Sequence, residues 1–306
     1  MSTDAAMTSR RDVFRFSALF SAFFAVLRLN NAGAGAGPRI DRPTLLSADI
    51  DVEGDWSGSL PSSALRVVQR MRQVCLSGVR LVLDRQPGHI RVQDHSSGPP
   101  AIWLHDDPPN TAWIIVDIGS RDWCKLAYQF GHELGHVLSN SWDRVSKPQP
   151  PTQWLEEAIV EAFSIRGLGI LATSWEQSPP FVGDNAFSAA IRSYRQDLID
   201  KYASAVDRSS YGDLGKWLEL SRERLGAPGV GVSLMEGPAI LAILEELERD
   251  IVCVADLGAL NRWPSRSSVP IEEYLRLWET SCAELHVPGR LPGRIRRLFD
   301  LNGDRN

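Results

Sequence analysis

The chain has 306 residues, of which 43% are hydrophobic and 23% are charged, as in an ordinary globular protein. These proportions exclude a mainly disordered chain, a collagen-like chain and a coiled coil. The 33 basic and 38 acidic residues give a formal net charge of −5, which argues against a nucleic-acid-binding protein.

The first 36 residues have the pattern of an export signal. Arg10 and Arg11 precede an apolar run, Phe16 to Leu27, and small residues follow at 32–36. The paired arginines resemble a bacterial twin-arginine signal, and the run is shorter than the ~20 residues that a membrane-spanning helix needs. We therefore expect residues 1–36 to be removed, no stable membrane span in the mature chain, and a periplasmic or extracellular location.

An oxidising compartment permits disulfides, and the cysteine count is even. The four cysteines allow three connectivities, and the sequence does not choose among them. Because no CxxC pair exists, neither a zinc ribbon nor a thioredoxin-type site is supported. Cys124 lies in an apolar helical pattern, where a buried thiol is the alternative to a disulfide. The cysteines are Cys75, Cys124, Cys253 and Cys282.

Hydrophobic periodicity then predicts the elements along the chain. Residues 37–61 are rich in Gly, Pro, Ser and Asp and indicate an entry loop, and a helix follows from Ser62 or Ser63 to Gly78. Period-two segments predict four strands, at 79–83, 89–93, 101–105 and 112–117. Helices are predicted at 120–138, 152–165, 186–206, 211–225, 233–249 and 270–285, with Thr152 as a cap and a loop at 172–185.

Segregation of the strands from the helices indicates an α+β fold rather than a doubly wound sheet. We divide the chain into an export signal (1–36), an N-terminal helix and β-sheet region (37–118), a zinc-binding core (119–170) and a helical C-terminal region (171–306). The core is assigned to zinc because of the motif that it contains.

The helix predicted at 120–138 contains the motif HExxH, from His132 to His136. Residues i and i+4 lie about 40° apart around a helix and about 6 Å apart along it, so both imidazoles can bind one metal ion. Glu133 is placed to activate water as a general base. Two core histidines beside a stray surface glutamate are the alternative, but an apolar helix makes an unpaired glutamate costly.

A third ligand is predicted on the next helix, in the segment from Trp154 to Glu161. With HExxH, this segment resembles the WLxEG region of gluzincin metallopeptidases, the thermolysin-like and M1-type enzymes. The resemblance implies that Glu157 binds the zinc and that Glu161 orients a ligand histidine. The metzincin continuation is absent, since Ser139 and Trp142 replace its Gly and His. A solvated acidic stripe on a surface helix is the alternative interpretation.

Helix phase separates Glu156 from these acids, because it lies ~100° from Glu157 around the axis. Glu157 shares a face with Glu161, whereas Glu156 shares a face with Val160 and Phe163. We expect Glu157→Ala to weaken zinc binding most, Glu161→Ala to weaken it less, and Glu156→Ala to leave it nearly intact.

The resemblance also implies a zincin-like fold: a small mixed sheet with the active-site helix, then a mostly helical half. The strand from Ala112 to Asp117 would edge the cleft and bind substrate by strand addition. The family's YxKG tyrosine has no counterpart, since Leu234 replaces it, and the GxMEN-like motif is absent. Substitutes exist by residue type only, with a structural role favoured for each: Tyr194, Tyr202, Tyr211 and His286.

Two other groups of polar residues are interpreted as structural. His89, His95 and His105 fit exposed strand positions better than a second metal cluster. Arg290, Arg294, Arg296 and Arg297 fit a solvated helix better than a nucleic-acid patch.

The leading hypothesis is an exported zinc metallopeptidase that acts on a peptide or protein and does not bind nucleic acid. Two alternatives remain open. The first is a degenerate zincin that binds a peptide or protein, which the missing tyrosine favours and the intact Glu133 disfavours. The second is a zinc hydrolase of a non-peptide amide or ester.

Overall fold

A computed structural model describes residues 44–301, except 55, 57–58, 83, 96–97, 119–121, 148, 205–212 and 228–231. The expected export signal (1–36) and Tyr211 lie outside the described residues. The described elements all fall within one unit, residues 42–306. They confirm an α+β fold, with a four-stranded mixed sheet followed by a mostly helical remainder.

The sheet has the strand order β1-β2-β4-β3. Strands β1 and β2 are parallel, as are β2 and β4, whereas β3 runs antiparallel to β4. Helix α1 (Pro61–Leu76) makes the crossover between β1 and β2 and packs on the sheet. The strands are β1 (Asp49–Glu53), β2 (His89–Asp94), β3 (Ala101–Trp103) and β4 (Thr111–Val116).

Two of the predictions for this region are wrong. The expected entry loop contains β1, whose Ile50 and Val52 pair with Ile90 and Val92 of β2. Residues 79–82 of the expected strand Val79 to Leu83 belong to no strand. Val79, Leu81 and Val82 pack instead against the hydrophobic core, and a Cβ added at Gly258 would lie 3.0 Å from Val82 Cγ2. The apolar side chains of this segment are therefore partly buried by tertiary packing, although residues 79–82 do not pair with a strand.

The position of β4 corrects a further expectation. The strand predicted at 112–117 does form, but it lies between β2 and β3 and is not at the edge of the sheet. The described edge of the sheet that lies nearest the helix with the HExxH motif is β3, the shortest strand. Its Ala101 and Ile102 line the cleft that is described below.

The helices follow in the predicted order. A short helix, α7, and a 3₁₀ turn after it were not predicted. A 3₁₀ turn, Leu234–Glu236, leads into α6, and a second, Asp256–Ala259, follows α7. No helix in the described part of the chain combines the length and the apolar character of a membrane span. The remaining helices are α2 (Trp123–Leu138), α3 (Gln153–Gln177), α4 (Phe187–Ser204), α5 (Leu214–Leu225), α6 (Gly237–Arg249), α7 (Val252–Ala255), α8 (Ile271–Glu284) and α9 (Arg290–Leu298).

Helix α3 is longer than predicted and begins differently. The expected loop at 172–185 starts only at Ser178, because Leu171, Ala172 and Trp175 continue the buried stripe of the helix. Thr152 is the N-cap residue, but its hydroxyl donates to the Val269 carbonyl rather than capping the helix. This residue therefore anchors the start of α3 to the loop before α8.

The four cysteines are buried free thiols, so no disulfide joins them. Burial raises the pKa of Cys75 to about 12 and the pKa of Cys124 to about 11. Thiols held in this protonated form are poor nucleophiles and poor metal ligands. The interpretation of Cys124 as a buried core thiol is confirmed.

The arginine-rich C-terminal segment forms the expected helix, α9, but the helix is solvated on one side only. Leu291 and Ile295 are fully buried on its other face. The arginines pair with acids of the neighbouring elements: Arg290 with Asp250, Arg294 with Glu246 and Asp250, and Arg296 with Glu279. These pairs neutralise much of the positive charge of the segment.

Side-chain hydrogen bonds fix helix α2 at its N-terminus and near its middle. Asp122 caps it, accepting a hydrogen bond from the Lys125 N–H at 2.9 Å. One turn later, the Gln129 side-chain amide accepts from the Asp117 N–H at 2.9 Å and donates to the Asp117 carbonyl at 3.1 Å. The helix is thereby held against the end of β4 just before its histidines.

Close packing of α2 on α3 depends on glycine at 135. A Cβ on Gly135 would lie 2.8 Å from Val160 Cβ, closer than real Cβ contacts, and 3.2 Å from Phe163 Cδ1, which is tighter than most of them. Gly135 lies directly before His136, so this approach also sets the distance from the histidines to the acids of α3.

We expect Gly135→Ala to lower the free energy of unfolding by about 1–3 kcal/mol, because overpacking outweighs the better helix propensity of alanine. Gly293→Ala in α9 is the matched control, since its nearest neighbour, Arg297 Nη1, is 3.8 Å from the added Cβ. Urea denaturation of both variants with a chelator present measures the difference. Equal stability of the two variants would contradict the packing argument.

Candidate metal centre

The HExxH histidines and Glu157 meet in the space between α2 and α3. The Nε2 atoms of His132 and His136 lie 3.4 Å and 3.5 Å from Glu157 Oε2. Candidate ligand atoms of the three residues lie within 4.8 Å of one another. Among the described residues, this is the group of histidine and acidic side chains that could hold a metal ion. The structure therefore brings the three predicted ligands together.

The spacing fits a tetrahedral zinc site. Two ligand atoms that are each about 2.1 Å from a tetrahedral zinc lie about 3.4 Å apart, as both imidazole nitrogens do from Glu157 Oε2. The two imidazole rings meet edge to face with centroids 5.0 Å apart. Two imidazoles and one carboxylate form the donor set of zinc sites that keep a fourth position for water or substrate.

The other nitrogen of each histidine is held by a second carboxylate. His132 Nδ1 donates to Glu161 Oε2 at 2.9 Å, and His136 Nδ1 donates to Glu156 Oε1 at 2.8 Å. Carboxylate oxygens accept hydrogen bonds, so each Nδ1 carries a hydrogen and Nε2 is the nitrogen of each ring that is left to ligate a metal ion. Both imidazoles are therefore oriented for ligation through Nε2 once a metal ion displaces any proton there.

Glu161 is fully buried and accepts three hydrogen bonds. Besides His132, the hydroxyls of Tyr128 and Tyr202 both donate to its Oε1 atom at 2.7 Å. Burial, together with the negative charge of Glu161, raises the pKa of both phenols far above its ordinary value, so they remain donors. The predicted role of Glu161, orienting a ligand histidine, matches this geometry.

Glu156 makes a contact that helix phase did not reveal. It lies off the ligand position, as expected, and its carboxylate accepts a hydrogen bond from His136 Nδ1 at 2.8 Å. The second oxygen accepts from Asn261 Nδ2 at 2.6 Å. A metal-binding histidine usually donates its second ring N–H to a carboxylate or a carbonyl. An acidic residue next to Glu157 on a mostly apolar helix is the sequence signal that could have identified Glu156 as such a partner.

The carboxylates around the two histidines raise the pKa of both imidazoles. Burial opposes charge on His132, but its hydrogen bonds with Glu157 and Glu161 outweigh this and raise its pKa to about 10. Burial likewise opposes charge on His136, but Glu157 and Glu156 raise its pKa well above the ordinary value. Against its own burial, the positive histidines lower the pKa of Glu157. The acids thus create a strong local preference for positive charge.

Glu133 is buried, at 3% exposure, and it borders the cleft. Burial is the largest effect on its carboxyl and raises its pKa, although both histidines act in the opposite direction. No described residue donates a hydrogen bond to this carboxylate. A carboxylate that is free of partners and more basic than usual suits a general base.

The cleft has a volume of about 490 Å³. One wall is apolar and includes Pro99, Pro100 and the edge strand β3, while the centre supplies the polar wall. Tyr202 and Lys201 of α4 close the opposite side. Helix α4 of the C-terminal half therefore contributes to the cleft.

The remaining candidates lie outside this cleft. Tyr194 packs against the Tyr128 ring, and His286 is exposed beyond α8. Leu234 begins a 3₁₀ turn closed by a capping box between Ser233 and Glu236. Of the strand histidines, His89 pairs with Asp51, and His105 packs edge-on against Trp113. Of the three substitutes that the structure describes, Tyr202 lines the cleft, as does Tyr128, which the sequence analysis did not name.

Comparisons with protein-family models, curated proteins and solved structures found no match to this chain. The resemblance to gluzincins therefore rests on the residues of the centre.

The geometry yields a ranking of the acids that differs from the helix-phase expectation. Glu157→Ala removes a ligand and should weaken zinc binding most. Glu156→Ala and Glu161→Ala should each weaken it by about 10–100-fold, because each frees one ligand imidazole. Glu246→Ala is the matched control, a buried glutamate bonded to Arg249 and Arg294.

Competitive titration with a zinc chelator ranks the four variants. Zinc affinity of Glu156→Ala equal to that of Glu246→Ala would restore the helix-phase expectation.

Proposed function

We propose that the chain is an exported zinc metallopeptidase. The observation that carries the proposal is the combination of two imidazoles and Glu157 at zinc spacing with a buried Glu133 at the same cleft, to which no described residue donates a hydrogen bond. Export rests on the sequence of residues 1–36 alone. The zincin-like assignment of the fold belongs to the same proposal and is supported by the order of the two ligand helices.

The chemistry divides between the ion and the chain. Zinc held by His132, His136 and Glu157 would polarise a substrate carbonyl and lower the pKa of water. Glu133 then removes a proton from the attacking water and delivers it to the leaving amine. Glu156 and Glu161 keep both imidazoles in the ligating orientation throughout.

An extended peptide is favoured over a small ester because of the neighbouring edge strand. Strand β3 lies at the end of the sheet, so its outer backbone groups have no ladder partner among the described residues. Ala101 and Ile102 of this strand line the cleft. An extended substrate can hydrogen-bond to such an edge while its carbonyl reaches the centre. This role was expected for β4, whose interior position excludes it.

We expect the purified mature protein to bind about one zinc per chain, the ratio given by one three-ligand group. His136→Ala should abolish stoichiometric binding because it removes one of three protein ligands. His89→Ala, which changes a histidine paired with Asp51, should leave the ratio unchanged. Elemental analysis after dialysis measures all three proteins. Full retention of zinc by His136→Ala would disprove the site.

Glu133→Gln should keep zinc and lose hydrolysis, because it removes the base and spares the ligands. Loss of general-base catalysis should lower turnover by about 10²–10⁴-fold. The measurement is cleavage of a mixed peptide library, with zinc content as the control for intact binding. Turnover that persists at the wild-type level in zinc-loaded Glu133→Gln would assign the activity to another residue or to a contaminant.

A further inference from the structure

The carboxylate behind His136 is itself held by a residue 105 positions further along the chain. Asn261 Nδ2 donates to Glu156 Oε2 at 2.6 Å and also approaches Ser139 O and Ser141 Oγ, both at 3.3 Å. Asn261 is 1% exposed and follows the 3₁₀ turn Asp256–Ala259. The C-terminal half thereby makes direct contact with a residue that orients a candidate metal ligand.

Hydrogen bonds hold both the side chain and the backbone carbonyl of Asn261. Its Oδ1 accepts from the Tyr274 hydroxyl at 3.1 Å, and its carbonyl accepts from Arg266 Nη1 at 3.2 Å. Its backbone has φ 55°, in the left-handed region where asparagine is tolerated better than most residues. An amide clamped in this way keeps its Nδ2 toward the Glu156 carboxylate, which is the nearest of its three acceptors at 2.6 Å.

We propose that Asn261 is a positioning residue of the metal centre, which acts through Glu156 on His136. A carboxylate that is free to rotate would leave His136 Nδ1 without a fixed acceptor, and the ligating Nε2 would lose its direction. On the other side of the centre, the hydroxyls of Tyr128 and Tyr202 hold Glu161 in the same way, and Glu161 in turn orients His132. This inference rests on the proposed zinc site and assigns a part of it to the C-terminal half.

A purely structural role for Asn261 is the competing explanation, and the chain contains a matched residue for testing it. Asn140 is also buried and left-handed, with φ 62°. Its Nδ2 donates to the carbonyls of Gly258 at 2.9 Å and Leu260 at 2.8 Å. Asn140 therefore shares the conformation and the buried amide of Asn261, but it donates to no acid of the centre.

The experiment compares Asn261→Gly with Asn140→Gly, because glycine accepts the left-handed backbone in both places. Zinc affinity is measured by chelator competition, the cobalt-substituted protein by its visible absorption spectrum, and thermal stability with excess chelator. We expect both variants to lose stability. Asn261→Gly alone should bind zinc about 10-fold more weakly and alter the cobalt spectrum.

Tyr274→Phe removes one donor to Asn261 and leaves the amide in place, so it should alter the cobalt spectrum less. This variant decides the question if Asn261→Gly does not fold, and an unchanged spectrum would then overturn the proposal. Equal zinc affinity of Asn261→Gly and Asn140→Gly would overturn it directly, while wild-type zinc binding would preserve the proposed function. A wild-type protein that binds no zinc would overturn both.

Discussion

Four buried carboxyl groups lie beside two histidines between α2 and α3, and one of them, Glu161, has no solvent exposure. The other three are Glu133, Glu156 and Glu157. Burying this many ionisable groups without compensation would cost several kcal/mol for each ion. Neighbouring groups offset this cost. Two tyrosine hydroxyls donate hydrogen bonds to Glu161, an asparagine amide donates to Glu156, and both histidines lie against Glu157. A divalent cation would complete this compensation, because the four acids face two histidines that can carry positive charge.

The rest of the fold keeps these groups at fixed distances. Gly135 allows α3 to approach α2, and Gln129 holds α2 against the end of β4. Thr152 anchors the start of α3 to the loop before α8. Rigid elements give a binding site more precise geometry than loops do. The ligands lie on two long helices, and the residues that orient them come from α2, α3, α4 and the turn before α8.

Much of this arrangement could be predicted from local sequence because the ligand spacing is a property of one helix. HExxH places His132 and His136 on one helix face whatever the surrounding fold, and the acids of α3 lie within one further segment. Asn261 and Tyr274 were beyond such reasoning, since a tertiary contact over 105 residues brings Asn261 to Glu156, and Tyr274 bonds to Asn261. The same limit explains β1, whose pairing with β2 is non-local, and residues 79–82, which pack without a ladder. Helix phase alone did not reveal the contact of Glu156 with His136, because a residue off the ligand face can still meet a neighbouring imidazole.

The measurement that tests the account most directly is an anomalous difference map from crystals of the zinc-loaded protein, recorded at the zinc absorption edge. The account predicts one strong peak between the Nε2 atoms of His132 and His136 and the carboxylate of Glu157. Distances should be about 2.0–2.2 Å to each ligand atom. A peak at any other group of side chains, or a peak that Glu157 does not ligate, would contradict it.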